Sequence, residues 1–187
     1  MPLAQRILAS LFTAITPRTA GFNTVDFNKF SDSGIFLQTL LMLIGASPGS
    51  TGGGMKITTM AVLILTSLAI FKNSSRTEAF GRTISGETIR NSTTIAFMYI
   101  ALCIVSGMYI SLHEKLPLLT TCFESASAIA TVGLTLGITP NLSPTSHILL
   151  IALMYMGRVG GLSLIYAVFP NANPDKGRLV EENVIVG

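Results

Sequence analysis

Charge is what this chain has least of. Its 187 residues carry 12 Lys and Arg and 9 Asp and Glu, 11% in all, against 49% hydrophobic residues. Soluble globular domains hold roughly 25% charged residues, so the balance excludes a soluble core and points to a membrane protein. Cysteine is scarce too. Cys103 and Cys122 lie far apart in apolar stretches, which excludes a disulfide framework and a cysteine metal site. The net charge of +3 comes from scattered basic residues; it fits the cytoplasmic loops of a membrane protein and gives no nucleic-acid patch. No basic segment followed by a long apolar region succeeds Met1-Pro2, so no signal peptide is read there.

The apolar runs that remain are short and punctuated. Residues 3–15 predict a helix of about 20 Å, too short for roughly 30 Å of hydrocarbon. Pro17 stops it, because the residue before a proline is pushed out of the helical region. Ser31-Asp32-Ser33-Gly34 offers caps before an apolar run over 35–46. A second run covers 57–71. As one helix, 35–71 would be about 55 Å long, so the glycines and Pro48 between the runs break it into two helices around a loop. At membrane depth such a loop must face water or protein. Residues 72–90 are polar, with Lys72, Arg76, Arg82 and Arg90 against Glu78 and Glu87. Residues 95–112 predict a transmembrane helix. Pro117 opens a second short helix reaching about Ala130. Pro140 and Pro144 follow, then a last span over 148–169 with Arg158 at its middle and a polar tail.

Two stretches repeat. Thr19-Ala20-Gly21 and Thr131-Val132-Gly133 each follow a short helix, and an offset of 112 pairs Gly21 with Gly133 and Thr19 with Thr131. The same offset pairs Ala14 with Ala126, Gly45 with Gly157 and Gly49 with Gly161. Each half therefore reads as short helix, Thr-x-Gly loop, then a helix interrupted by glycine. Thr-Val-Gly in an apolar setting is similar to the filter loops of potassium channels, where backbone carbonyls replace the ion's water shell. The negative ends of the short helices point at the loops and favour a cation. Carbonyls of Thr19, Ala20, Gly21, Thr131, Val132 and Gly133 are the candidate ion-binding groups. The alternative for both loops is a packing turn of small residues.

Gly45, Gly49, Gly52, Gly53, Gly54 and Lys56 make up the glycine-rich break, and Arg158 is the costly charge of the last span. An arginine within a membrane span costs roughly 2.5–3.5 kcal/mol on insertion scales, so it must face a wet path or find carbonyl or acidic partners. It reads either as an electrostatic barrier to a cation or as a structural or snorkelling residue. The loop itself reads as a movable element or a plain kink. Gly45-Ala46-Ser47-Pro48-Gly49 fits the G-x-S-x-G pattern of hydrolases, but Pro48 has no N–H for the oxyanion hole, and His113 and His147 lie far from it. Met55 between Gly54 and Lys56 breaks the phosphate-loop pattern. No enzyme is read.

On these residues the chain resembles the Trk/Ktr/HKT superfamily of potassium transporters, most nearly the membrane subunit of bacterial Ktr (NtpJ-like) systems. The carrying motifs are Thr16-Pro17-Arg18-Thr19-Ala20-Gly21-Phe22-Asn23-Thr24, the run from Gly45 through Gly54, Ala130-Thr131-Val132-Gly133-Leu134-Thr135, Gly157-Arg158-Val159-Gly160, and the ending Glu181-Glu182-Asn183-Val184-Ile185-Val186-Gly187. The resemblance implies an all-α membrane protein of helix–pore-loop–helix repeats with re-entrant, potassium-channel-like loops, incomplete here. Residues 1–72 would be the third repeat's pore helix, filter loop and glycine-broken inner helix. Residues 73–94 would be a cytoplasmic loop, 95–169 the fourth repeat and 170–187 a cytoplasmic tail. Gly21 and Gly133 would be filter glycines, the loop 45–56 the intramembrane gate, and Arg158 its partner beneath the filter.

The implied function is potassium uptake, with sodium as a second ion and symport as its form. The chain would act as a fragment of a four-repeat subunit in a bacterial plasma membrane, without a cofactor. The implied partners are the lipid bilayer, a second copy in a homodimer, a cytosolic nucleotide-binding regulatory subunit and the N-terminal repeats. The alternative is a non-transporting membrane scaffold or assembly partner. The basic stretch between Lys72 and Arg90 sets the expected topology by the positive-inside rule, and puts both Thr-x-Gly loops in the outer half. Single cysteines at Asn73 or Ser85 should react with an impermeant thiol reagent only from the cytoplasmic face, and one at Pro144 only from outside. External labelling at Ser85 reverses the assignment.

Overall fold

A computed structural model describes residues 2–74 and 76–160. Its framework starts from α4 (Gly86–Glu114), which at 29 residues is the one helix among the described residues long and apolar enough to cross a membrane. Its length is about 44 Å at 1.5 Å per residue. Ser85 opens it by accepting the Thr88 N–H at 3.2 Å. Lys115 ends it in the left-handed conformation, φ 55°.

Pro117 then starts α5 (Leu118–Ile129), which lies against α4. Gly107 makes that contact close: a Cβ there would meet Cys122 Sγ at 2.6 Å. Thr121 Oγ1 donates to the Gly107 carbonyl at 2.8 Å. Small residues lie along α5, so neighbours approach on every side, and Thr121 and all of Phe123 to Ile129 are buried. α5 is the core of the molecule.

α1 (Leu3–Ile15), α2 (Asp32–Leu43) and α3 (Ile57–Phe71) precede it. α2 packs on α5, and the ring of Phe27, in the turn before α2, lies 6.0 Å from that of Phe123. α3 packs on α4. α1 is peripheral: Gln38 of α2 donates to the Thr13 carbonyl at 3.3 Å, while Leu3, Ile7, Leu8, Leu11 and Ile15 stay exposed. The break between α2 and α3 falls where proline and glycines predict it, and its base is stitched. Gly45 N–H donates to the Met55 carbonyl at 2.8 Å, Met55 N–H to Leu43 at 3.3 Å and Ile57 N–H to Ala46 at 3.3 Å.

Two expectations change. The polar stretch 73–94 is not all loop. β1 (Glu78–Ala79) and β2 (Arg82–Thr83) pair as a small hairpin through Phe80 and Gly81, both at positive φ, and α4 begins nine residues before Ile95. Polar residues on the first turns of a capped helix look like loop to a hydropathy reading. The last helix among the described residues, α6 (Pro144–Val159), starts earlier than residue 148. Ser143 caps it and is itself held by Glu114 at the end of α4: Oε1 accepts Ser143 N–H at 2.9 Å, Ser143 Oγ at 2.5 Å and Ser146 Oγ at 2.6 Å. Arg158 consequently sits in the last turn of α6, before Gly160 at φ 88°, and not at mid-helix. A cation there complements the helix dipole. The rest of the expected span, 161–169, and the tail lie outside the described residues.

α6 seats on the end of α5 through Gly157, whose added Cβ would stand 1.8 Å from the Ile129 carbonyl oxygen. Gly157→Ala should therefore destabilise the fold by about 1–3 kcal/mol through overpacking. Gly86→Ala, which meets no atom within 4 Å, should change stability by less than about 0.5 kcal/mol. Unfolding midpoints in detergent compare the two, and equal midpoints refute the close seat.

Candidate functional site

Each short helix ends in a loop with the same backbone signature. After α1, Thr19 and Gly21 have φ of 67° and 72°; after α5, Thr131 and Gly133 have φ of 55° and 90°. A β-branched threonine in the left-handed region is strained, and the chain adopts it at the same place twice. Backbone bonds fold each loop onto its helix end. Ala20 and Gly21 N–H donate to the Thr16 carbonyl at 3.1 and 3.2 Å, Thr131 N–H to Ala128 at 3.0 Å and Val132 N–H to Ser127 at 2.9 Å.

The two loops meet at Gly21. A Cβ there would lie 2.1 Å from the Val132 carbonyl oxygen, so only glycine admits the contact. Gly133 is different: nothing lies within 4 Å of its Cβ position, and the demand on it is the positive φ alone.

The stitched loop between α2 and α3 lies against both threonines. A Cβ on Gly52 would be 2.8 Å from Thr19 Oγ1, and one on Gly53 would be 2.8 Å from Thr131 Oγ1. Gly53 N–H donates to Thr131 Oγ1 at 2.8 Å. Gly54 faces Ala130, and Gly45 faces the Gly53 carbonyl. Consecutive glycines thus seat against the threonines of the two repeats. Gly49 only supports a turn at φ 85°, with nothing nearby.

Two cations hold the loop's carbonyls. Lys56 Nζ donates to Ser50 at 3.0 Å and Gly52 at 2.9 Å, and Arg158 Nη1 donates to the Thr51 carbonyl between them. A cavity of about 430 Å³ is lined by these groups together with Tyr99 and Thr59. The structure thus gathers Thr19, Gly21, Thr131, Val132, Gly45, Gly52, Gly53, Gly54, Lys56 and Arg158. Ala20 contributes only its turn.

Two bracing residues were not among the candidate site residues. Thr16 braces the first loop, accepting Phe22 N–H at 3.1 Å and donating to its carbonyl at 2.6 Å. Glu124 braces the second through Thr135, Leu136 and Thr139. Glu124 had a signal: it is the only Asp, Glu, Lys or Arg between Lys115 and Arg158. A carboxylate on a buried helix needs donors. The donors on offer to an ion at the two loops are carbonyl and hydroxyl oxygens. Among the described residues no group of three or more His, Cys, Asp or Glu is placed to hold a metal ion.

Residues 1–174 match the family model described as TrkH, cation transport protein. The potassium/sodium uptake protein NtpJ of Enterococcus hirae is 38% identical over 98% of this chain and 42% of its own length. The Ktr system potassium uptake protein B of Bacillus subtilis is 34% identical over 88% of this chain and 37% of its own, and that of Vibrio alginolyticus 35% over 96% and 39%. The chain spans about two-fifths of the length of these relatives. Such similar identities mark the family and not one branch of it. With the apolar α4 and this match together, the chain belongs to the TrkH family of cation transport proteins and is membrane-associated.

Proposed function

We propose that this chain supplies two ion-coordinating loops and the gate of a potassium uptake pore. The observation that carries the reading is the contact between the two Thr-x-Gly loops, each with a glycine of the 45–56 loop against its threonine. Carbonyls of Thr19, Ala20, Gly21, Thr131, Val132 and Gly133 would replace the water of a potassium ion, with sodium as the competitor. The loops would be re-entrant in a multi-pass chain, with residues 73–94 and the tail 170–187 cytoplasmic. The remaining repeats of the pore come from a longer polypeptide. Burial supports this division: α5 is covered by α4, while its counterpart α1 keeps an apolar face exposed where the outer helix of a full repeat would pack. A homodimer and a cytosolic nucleotide-binding regulatory subunit complete the proposed assembly.

Gly21→Ser and Gly133→Ser test the coordinating role in a four-repeat transporter that carries this chain. Each should lower potassium-over-sodium uptake about tenfold, a change of about 1.4 kcal/mol, by crowding or redirecting a carbonyl ring. Expression should change little. Native selectivity in both variants leaves the loops as packing turns.

Arg158 gives the second test. A unit charge about 8 Å from an ion contributes about 2 kcal/mol at an effective dielectric of 20, enough to slow flux more than tenfold. Its bond to Thr51 makes it a latch on the loop as well as a barrier. Arg158→Gln should raise potassium flux per folded molecule severalfold and leave the external affinity nearly unchanged. A fall in flux that follows the amount of folded protein assigns the arginine to structure instead.

A further inference from the structure

Glu124 is the buried charged group that the pore reading leaves unused. It is 5% exposed and lies one to two turns above the end of α5. Its Oε1 accepts Thr135 Oγ1 at 2.5 Å and Leu136 N–H at 2.9 Å, and its Oε2 accepts Thr139 Oγ1 at 3.0 Å. All three donors belong to the strand of chain that leaves the second Thr-x-Gly loop.

The loop is therefore tied to one helix at both ends. Its start is held by the carbonyls of Ser127 and Ala128 at the foot of α5. Its exit is held by Glu124, about 4.5–6 Å back up the same helix from those residues at 1.5 Å per residue. The residues between, from Thr131 to Thr135, reach at most about 14 Å when extended, so the two ties confine them to a short arc beside the helix. Packing does not hold this stretch on every side. A cavity of about 530 Å³ borders it, lined by Thr131, Gly133, Thr135, Leu150 and Met154 as well as Glu124. Among the described residues the first loop has no such tie. Position 12, which the offset of 112 pairs with Glu124, is phenylalanine, and Thr16 braces that loop locally.

We propose that Glu124 is a positioning residue for selectivity: its carboxylate fixes the exit of the second loop and so sets the spacing of the carbonyls of Thr131, Val132 and Gly133. The proposal rests on the pore reading above. It makes the two coordinating loops unequal, one held by a carboxylate and one by a threonine. Discrimination between potassium and sodium depends on oxygen spacing and on how freely the oxygens close on the smaller ion. A loosened second loop should follow sodium inward.

The test measures potassium and sodium uptake in the four-repeat transporter carrying Glu124→Gln, Thr135→Val with Thr139→Val, or all three changes, beside Gly133→Ser. Glu124→Gln keeps the side chain's size and turns an acceptor into an amide donor. It should lower the potassium-over-sodium ratio by about tenfold, the scale of one hydrogen bond to a charged group. The double valine variant should lower it similarly, and the triple variant no further, since all act through one set of contacts. A residue that only supports the fold lowers the amount of folded protein and leaves the ratio per molecule unchanged; that result overturns the proposal. So does a lowered ratio in Glu124→Gln with a parental ratio in the double valine variant. A parental ratio in Glu124→Gln beside a lowered one in Gly133→Ser overturns the positioning role alone, and parental ratios throughout overturn the pore reading with it. Should Glu124→Gln fail to fold, the double valine variant decides by the same criterion.

Discussion

Backbone lying directly against backbone at the foot of α5 is the contact on which the rest of the molecule depends. Gly157 brings α6 onto the Ile129 carbonyl and Gly21 brings the first loop onto the Val132 carbonyl, while toward the other end of α5 Gly107 brings α4 onto Cys122. In an apolar medium there is little hydrophobic drive between helices, so close packing and internal hydrogen bonds must hold them. A side chain at any of these points would force the partners apart, since its Cβ would fall 1.8, 2.1 or 2.6 Å from the facing atom, inside the ordinary contact distance of 3.4–4 Å. The irregular backbone of the two loops is folded back onto the helix ends by the N–H groups of Ala20, Gly21, Thr131 and Val132, which find carbonyl partners there.

The two halves share a backbone pattern and differ in what surrounds it. α5 is wrapped by α2, α4 and α6, whereas α1 touches the rest through little more than Gln38. The braces differ as well, a threonine hydroxyl in one loop and a buried carboxylate in the other. Gly45 and Gly157 occupy equivalent sequence positions, yet Gly45 faces the Gly53 carbonyl within its own loop and Gly157 faces α5. The α2–α3 loop reaches across to the threonines of both repeats.

Few charges are present, and four of those around the loops and helix ends are engaged. Lys56 and Arg158 together hold three consecutive carbonyls, and Glu124 and Glu114 each gather three donors. Each bond to the buried Glu124 carboxylate contributes about 1.5–3 kcal/mol, and an unpaired charge at that depth costs more than that. The loop between α2 and α3 is held at its base by backbone and at its tip by two cations. Its seat against Thr19 and Thr131 is contact at glycine with one hydrogen bond, from Gly53. Motion at the seat therefore disturbs less than motion at the base.

Local chemistry made much of the plan readable. Pro17 ends α1, Pro117 starts α5, and Pro48 with its glycines separates α2 from α3, because these residues restrict or free the backbone wherever they stand. The offset of 112 pointed to Thr19, Gly21, Thr131 and Gly133 as equivalent, and the same amino acids adopt the same unusual φ. The hairpin at 78–83 and the early start of α4 were not legible, since polar residues suit a turn, a small hairpin and an exposed helix start alike. What only the tertiary structure decided is which distant groups meet. Nothing in the order of residues says that Gly53 lies against Thr131, 78 positions away, or that Glu124 takes the hydroxyls of Thr135 and Thr139. Breakers and caps act on their own backbone, whereas close approach between segments depends on how α2, α4 and α6 close around α5.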